Sequence, residues 1–166
     1  EWKLRATLEA DPRVEGLGRY DNHDRLKKGD VWIRYRGHEF KIEVKGLQTT
    51  KIKRVAEGWQ GEVQCDASDR RPISLADGST VTTTCLRVGE FDLLAACLFQ
   101  FGDEWRFAFA RNGDLPRSTH RKYPPEVREQ LIKGAVRVTW PLQPPFAPEP
   151  FRLLDAIAHE RSSGRR

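Results

Sequence analysis

The stretch GDVWIRYRGHEFKIEVKG, residues 29–46, constrains the fold more than any other part of the chain. Both halves alternate apolar with polar side chains, the two-residue period of half-buried strands. Arg36, Gly37 and His38 stand between them, and a Gly in so short a connection signals a tight hairpin. Residues two apart in a strand share a face. Val31, Ile33 and Tyr35 therefore form one apolar row, and Phe40, Ile42 and Val44 another, and both must point into the same core. Asp30, Trp32 and Arg34 take the opposite side of the first strand, as Lys41, Glu43 and Lys45 do on the second. A two-residue loop at Arg36-Gly37 sets Asp30 opposite Glu43; one at Gly37-His38 sets it opposite Lys45. In either register Asp30, Glu43 and Lys45 share a face. A three-residue loop reverses the parity and drives charges into the core unless a bulge restores the alternation.

Two carboxylates a few ångströms apart repel each other and call for a cation. A hard divalent ion such as Mg²⁺ accepts carboxylate oxygens together with waters and phosphate oxygens. Water on such an ion loses its proton more readily and becomes a nucleophile, and a neighbouring Lys orients that water or stabilises charge on a phosphate. An acid followed by Glu-x-Lys on the adjacent strand thus suits metal-dependent hydrolysis of phosphodiesters. The competing structural reading is a cross-strand ion pair on an exposed sheet face, which contributes little. Glu-x-Lys occurs three times, at Glu1–Lys3, Glu39–Lys41 and Glu43–Lys45. The first lies outside any expected strand. The second shares the productive face but lies near the turn, where a solvated pair is expected. Only the third sits deep in its strand.

Asp30, twelve intervening residues and then Glu43-Val44-Lys45 resemble the PD-(D/E)XK nuclease superfamily, the fold of many restriction endonucleases. The order of elements, including QCDASDRRP and FDLLAACLFQF, also resembles bacterial restriction-endonuclease-like proteins. The resemblance implies a Mg²⁺-dependent deoxyribonuclease, with Mn²⁺ able to substitute. It implies that Asp30, Glu43 and the Val44 carbonyl hold the metal and that Lys45 serves the attacking water. Some members add an acid from the first helix, for which Glu9 is the candidate. One departure is Gly29, which precedes Asp30 where the family pattern has Pro. The implied setting is cytoplasmic restriction or defence, with DNA as partner and a homodimer or a larger defence-system protein as the assembly. A non-catalytic DNA-binding module and a repair or junction-resolving nuclease of the same fold are the alternatives.

The remaining sequence is read around this hairpin as a single restriction-endonuclease-like domain over 1–166, an α/β or α+β chain with a mixed sheet flanked by helices. EWKLRATLEA reads as a short helix ended by Asp11-Pro12, and RVEGLGRY as a strand or an irregular lead-in. DNHDRLKKGD reads as a polar loop. A second hairpin is expected around Glu57-Gly58, a charged loop at 66–71, and a third hairpin at Asp77-Gly78. FDLLAACLF is the most apolar run and suits a central buried strand. EWRFAFAR should pair with it, with Trp105, Phe107 and Phe109 in the core. PPEVREQLIKG has the Pro start and Gly end of a helix, and AVRVTW is a late strand. A Pro-rich connector spans 141–150, a C-terminal helix 151–160, and the basic tail RSSGRR is expected to fray.

Charge supplies the partner class. The chain carries 29 Lys and Arg against 24 Asp and Glu, a net charge of +5, with 20 Arg and nine Lys. Arg presents a planar fork that matches phosphates and guanine edges. Candidate DNA contacts are Lys51, Lys53 and Arg54 beyond the hairpin, Ser68, Arg70 and Arg71 in DASDRR, and Arg117, His120, Arg121 and Lys122 in RSTHRK. For DASDRR a self-paired turn is an equal reading, for KIKR a solvated face is the default, and a lone loop His such as His120 is more often a polar surface residue. Gln48 is a candidate for site support, though ending the strand explains it as well. Trp59 is the better candidate for an exposed aromatic. No apolar run reaches the ~20 residues of a membrane span, and the polar N-terminus does not read as a signal peptide. The three Cys lack metal-ligand spacing and fit reduced thiols. The absence of Met points to a trimmed chain or to part of a longer one.

Overall fold

The structure, a computed structural model, describes residues 1–20 and 29–163. The expected polar loop over residues 21–28 and the last residues of the basic tail lie outside them. The described residues are mixed α+β. In chain order the helices are α1 (Trp2–Glu9), α2 (Pro125–Arg128) and α3 (Phe151–Ser163). The strands are β1 (Gly16–Arg19), β2 (Val31–Tyr35), β3 (His38–Lys45), β4 (Lys53–Val55) and β5 (Gly58–Gln64), then β6 (Asp66–Ser74), β7 (Thr80–Cys85), β8 (Leu93–Cys97), β9 (Phe107–Arg111) and β10 (Ala135–Trp140).

The central sheet has the order β1-β2-β3-β8-β9. Only β3 and β8 run parallel, so the sheet is mixed. FDLLAACLF supplies β8, and every residue from Leu93 to Ala96 is fully buried because both faces of that strand are covered. One face carries Val31, Ile33, Tyr35, Phe40, Ile42, Leu93 and Ala95. Leu4 and Leu8 of α1 and Phe151, Leu154 and Ile157 of α3 close over it. Both terminal helices therefore pack on the same side of the sheet.

The other face is divided. Leu94, Ala96, Ala108 and Ala110 pack against a second core built by Val63, Cys65, Leu98, Phe101, Ile132, Val136 and Val138. That core lies under a small sheet of order β10-β5-β4. The late strand AVRVTW thus joins β5, not the central sheet. The part of this face on β2 and β3 carries the polar row of the hairpin and receives none of that core's buried residues.

Several expectations need correction. DASDRR is not a loop: Asp66–Ser74 is a strand paired with β7, with a register shift between Asp66 and Arg71. That irregularity lets a segment with so many charges follow an edge strand. PPEVREQLIKG makes only the single turn of α2, since Leu131 and Ile132 leave it to form bridges with Arg87 and Arg117 and are fully buried. Trp105 precedes β9 and is exposed, its ring tilted against Phe99 and Trp2. Trp59 is half-buried and stacks on Phe101 at 6.0 Å. The C-terminal helix runs to Ser163, beyond the expected residue 160.

Candidate active site

The hairpin adopts the first of the two registers open to it. Tyr35 pairs with His38 and Val31 with Ile42, and Asp30 immediately precedes the last of these pairs. Arg36 and Gly37 both have positive φ, 49° and 71°, as a two-residue turn matched to strand twist requires. At its open end the Asp30 N–H donates to the Ile42 carbonyl at 2.9 Å. The Val44 N–H donates to Asp30 Oδ2 at 2.7 Å. The Asp30 carboxylate thus takes the place in the ladder that a backbone acceptor would fill if β2 began earlier. Proline could not stand in the place of Gly29. Its φ is +106°, which proline's fixed φ of about −65° cannot reach. A Cβ added there would meet the Lys41 Cβ at 3.2 Å.

Glu43 is a charged side chain in a buried position, 8% exposed, level with Leu94 of β8. Lys45 Nζ lies 2.9 Å from Glu43 Oε1. Burial raises the Glu43 pKa above the ordinary carboxylate value; Lys45 opposes the rise and the nearby Asp30 charge adds to it. Burial pulls the Lys45 ammonium down, but the Glu43 carboxylate outweighs it and Lys45 stays protonated. The end of β5 crosses beside this pair, with Leu47 bridging to Val63 and the Gln64 N–H donating to the Gly46 carbonyl at 3.4 Å. Cys65 follows, fully buried, and its thiol is pushed up to about 12, chiefly by burial. Low-polarity walls strengthen every charge interaction inside them.

The donor set fits a divalent ion. Along a strand a residue's N–H and C=O point to the same side, so the Val44 carbonyl faces the Asp30 side as its N–H does. The Asp30 carboxylate and that carbonyl therefore lie on one side of β3, and the Asp30 charge reaches Glu43. Among the described residues no three His, Cys, Asp or Glu side chains gather into an ion cage. Mg²⁺ needs none, since it binds through one or two carboxylates and completes its shell with water and phosphate.

Beside the polar row runs a groove of about 870 Å³. Lys41 lines one side; the β6 residues Ala67–Ser74, with Arg87, Gly89 and Glu90, line the rest. Ser68, Arg70 and Arg71 are thereby brought to the same groove as Lys41. The two arginines differ. Arg71 is held by Glu90 at 2.5 Å, both side chains mostly buried. Arg70 is exposed, with one long bond of 3.4 Å to the Thr82 carbonyl. Glu90 also accepts from the Arg87 N–H at 2.8 Å, and its charge reaches Glu43.

The other candidates lie elsewhere. Glu9 is exposed at the end of α1, whose buried residues belong to the core on the far face. Gln48 donates its backbone N–H to the Glu62 carbonyl at 2.8 Å and stands at the start of a short turn, where its side chain makes no capping bond. Lys51, Lys53 and Arg54 are exposed on and before β4, with Arg54 over the Trp59 ring at 5.7 Å. Arg117 turns back onto the Leu115 and Gly113 carbonyls at 2.6 and 2.9 Å. His120 Nδ1 accepts from the Lys122 N–H at 3.3 Å, and neither these two nor Arg121 lines the groove. Glu39 accepts from the Tyr20 hydroxyl at 2.8 Å and forms no pair with Lys41.

Sequence reasoning missed Lys41, Arg87, Glu90 and Cys65 as neighbours of the site. Lys41 alone carried a signal, since it shares the face of Glu43. No family model, curated protein or solved structure matches this chain.

Proposed function

We propose that this chain is a metal-dependent endonuclease of the restriction-endonuclease-like type that hydrolyses DNA phosphodiesters. The reading is carried by one observation: at the end of the β2–β3 hairpin the buried Glu43 carboxylate lies 2.9 Å from the Lys45 ammonium, with the Asp30 charge near enough to act on both. Asp30, Glu43 and the Val44 carbonyl would hold Mg²⁺, or Mn²⁺ in its place. Bound there, the ion supplies Lewis acidity and a water of lowered pKa. Asp30 is fixed for this role by the Val44 N–H, which orients its carboxylate without consuming both oxygens. Lys45 keeps its proton and presents N–H donors to the attacking water or to a phosphate oxygen. Lys41, Arg70 and Arg87 place positive charge along the groove where a phosphate backbone would run. The Arg-rich surface and the three free cysteines suit a cytosolic defence enzyme acting alone, as a homodimer or within a larger assembly.

A second reading, a DNA-binding module that never cuts, is favoured by the same contacts. Lys45 already has Glu43 as partner, and Asp30 already caps a backbone N–H. Plasmid cleavage with Mg²⁺ and with EDTA, using Glu43→Ala and Lys45→Ala beside the wild type, separates the two. Cutting that needs the metal and is lost in both variants supports the nuclease. A gel shift in Ca²⁺ that is the same in all three proteins, without cutting, supports the binding module.

A further inference from the structure

Besides the central sheet and the β5 sheet, the described residues contain a third sheet of two strands alone, the β6–β7 ribbon. Its inner row is anchored. Ile73 and Leu75 pack with Tyr123 and Leu131, and the Tyr123 hydroxyl donates to Thr83 Oγ1 at 2.6 Å inside that cluster. Its outer row is exposed and almost wholly polar: Ser74 pairs with Thr80 and Pro72 with Thr82, and Arg70 is exposed in the irregular stretch between Asp66 and Arg71. The free edge of β6 is closed to a further strand. Pro72 has no N–H to offer, and the Ser74 carbonyl is taken by Arg87 Nη1 at 2.8 Å. An added peptide strand is therefore a poor occupant.

We infer that the β6–β7 ribbon is the element through which this chain reads duplex DNA in the major groove, with Arg70 and Thr82 as base-contacting residues. The inference rests on DNA being the partner in the function proposed above. A major groove about 12 Å wide admits a two-stranded ribbon, and Arg, Ser and Thr are side chains that read base edges there. Of the two adjacent arginines, Arg71 is committed to Glu90, and only Arg70 projects with its fork available to a guanine edge. The ribbon borders the groove that Lys41 shares, so base reading on one wall and phosphate contacts on the other are joined. The acid at the ribbon's turn, Asp77, has its carboxylate held by the Ser79 N–H at 2.9 Å and by Ser79 Oγ at 2.6 Å.

The test is selection from a random duplex library in Ca²⁺ without Mg²⁺, followed by sequencing of the bound fraction. The wild type is expected to enrich a motif containing guanine. Arg70→Lys keeps the charge and removes the fork; it should lose preference at one guanine by roughly 5- to 150-fold while binding to unselected duplex is unchanged. Thr82→Val should relax a neighbouring position. Arg152→Ala, an exposed cation on α3 at the other face of the central sheet, should keep the motif. The inference is overturned if no motif emerges, if both ribbon variants keep it, or if a single-stranded oligonucleotide binds more tightly than duplex. Selection does not require cutting. A protein that selects a motif lost in Arg70→Lys yet never cleaves in Mg²⁺ would sink the nuclease reading and leave this one standing.

Discussion

Replacing Lys45 with Met keeps the aliphatic stem and removes the ammonium, which strands the Glu43 carboxylate in a site that is 8% exposed. Removing one partner of a buried pair costs about 3–5 kcal/mol. The Lys45 side chain is 22% exposed, so water partly relieves the loss and about 2–3 kcal/mol is expected at pH 8. With an m-value of about 2 kcal/mol/M in urea, the midpoint falls by about 1–1.5 M. The sign with pH follows from the direction of the Glu43 shift. Its folded pKa is raised, so the folded state binds the proton more tightly than the unfolded one. Its stability contribution improves as pH falls through the folded pKa and worsens as pH rises above the unfolded value. Without Lys45 the folded value rises further. The deficit of Lys45→Met should therefore shrink from pH 8 toward pH 5 as Glu43 takes up a proton. Urea melts of both proteins at the two pH values measure it. A loss under about 0.5 kcal/mol at pH 8, the size of a surface pair, or one independent of pH, would refute the argument that this carboxylate is desolvated.

Three further outcomes are expected. A divalent ion at tenfold its dissociation constant should stabilise the wild type by about 1.4 kcal/mol, or about 3–5 °C in Tm, and Glu43→Gln should abolish the shift in a thermal melt. Gly58→Ala should lower Tm by about 4 °C or more, because the new Cβ would stand 1.9 Å from the Trp140 carbonyl oxygen at a φ of +132° and disturb the β5–β10 pairing; scanning calorimetry reads this directly. A thiol reagent at pH 8 should leave Cys65 unlabelled in the folded protein, since its thiol is buried and pushed up to about 12, and should label it once urea unfolds the chain, as peptide mass mapping would show.

What the sequence revealed of this fold follows the range of the interactions involved. The hairpin was legible because its period, its turn residues and the cost of burying charge all act within 18 residues. They left two registers, and the structure takes the one with Arg36-Gly37 in the turn. Leu93–Ala96 was legible as a central strand because covering both faces demands an unbroken apolar run. DASDRR was misread because charge and lack of periodicity resemble a loop, whereas tertiary pairing with β7 and the Arg71–Glu90 contact hold it extended. The length of α2 was misread because its Pro and Gly signals are local, while Leu131 and Ile132 are drawn out by distant bridges. Glu90 and Cys65 were out of reach, since their approach to Glu43 depends on how β8 and the end of β5 pack against β3.

The sealed rim of β6 matters outside any encounter with a ligand. An unpaired strand edge is a template on which a second copy, or a partly unfolded neighbour, can add itself and begin a fibre. Here a ring without an N–H and a guanidinium capping a carbonyl interrupt that template at alternate residues. Arg87→Ala would uncap the Ser74 carbonyl. Its cost should appear less in the melting curve than in light scattering during prolonged incubation of concentrated protein, as slow self-association that the wild-type edge resists.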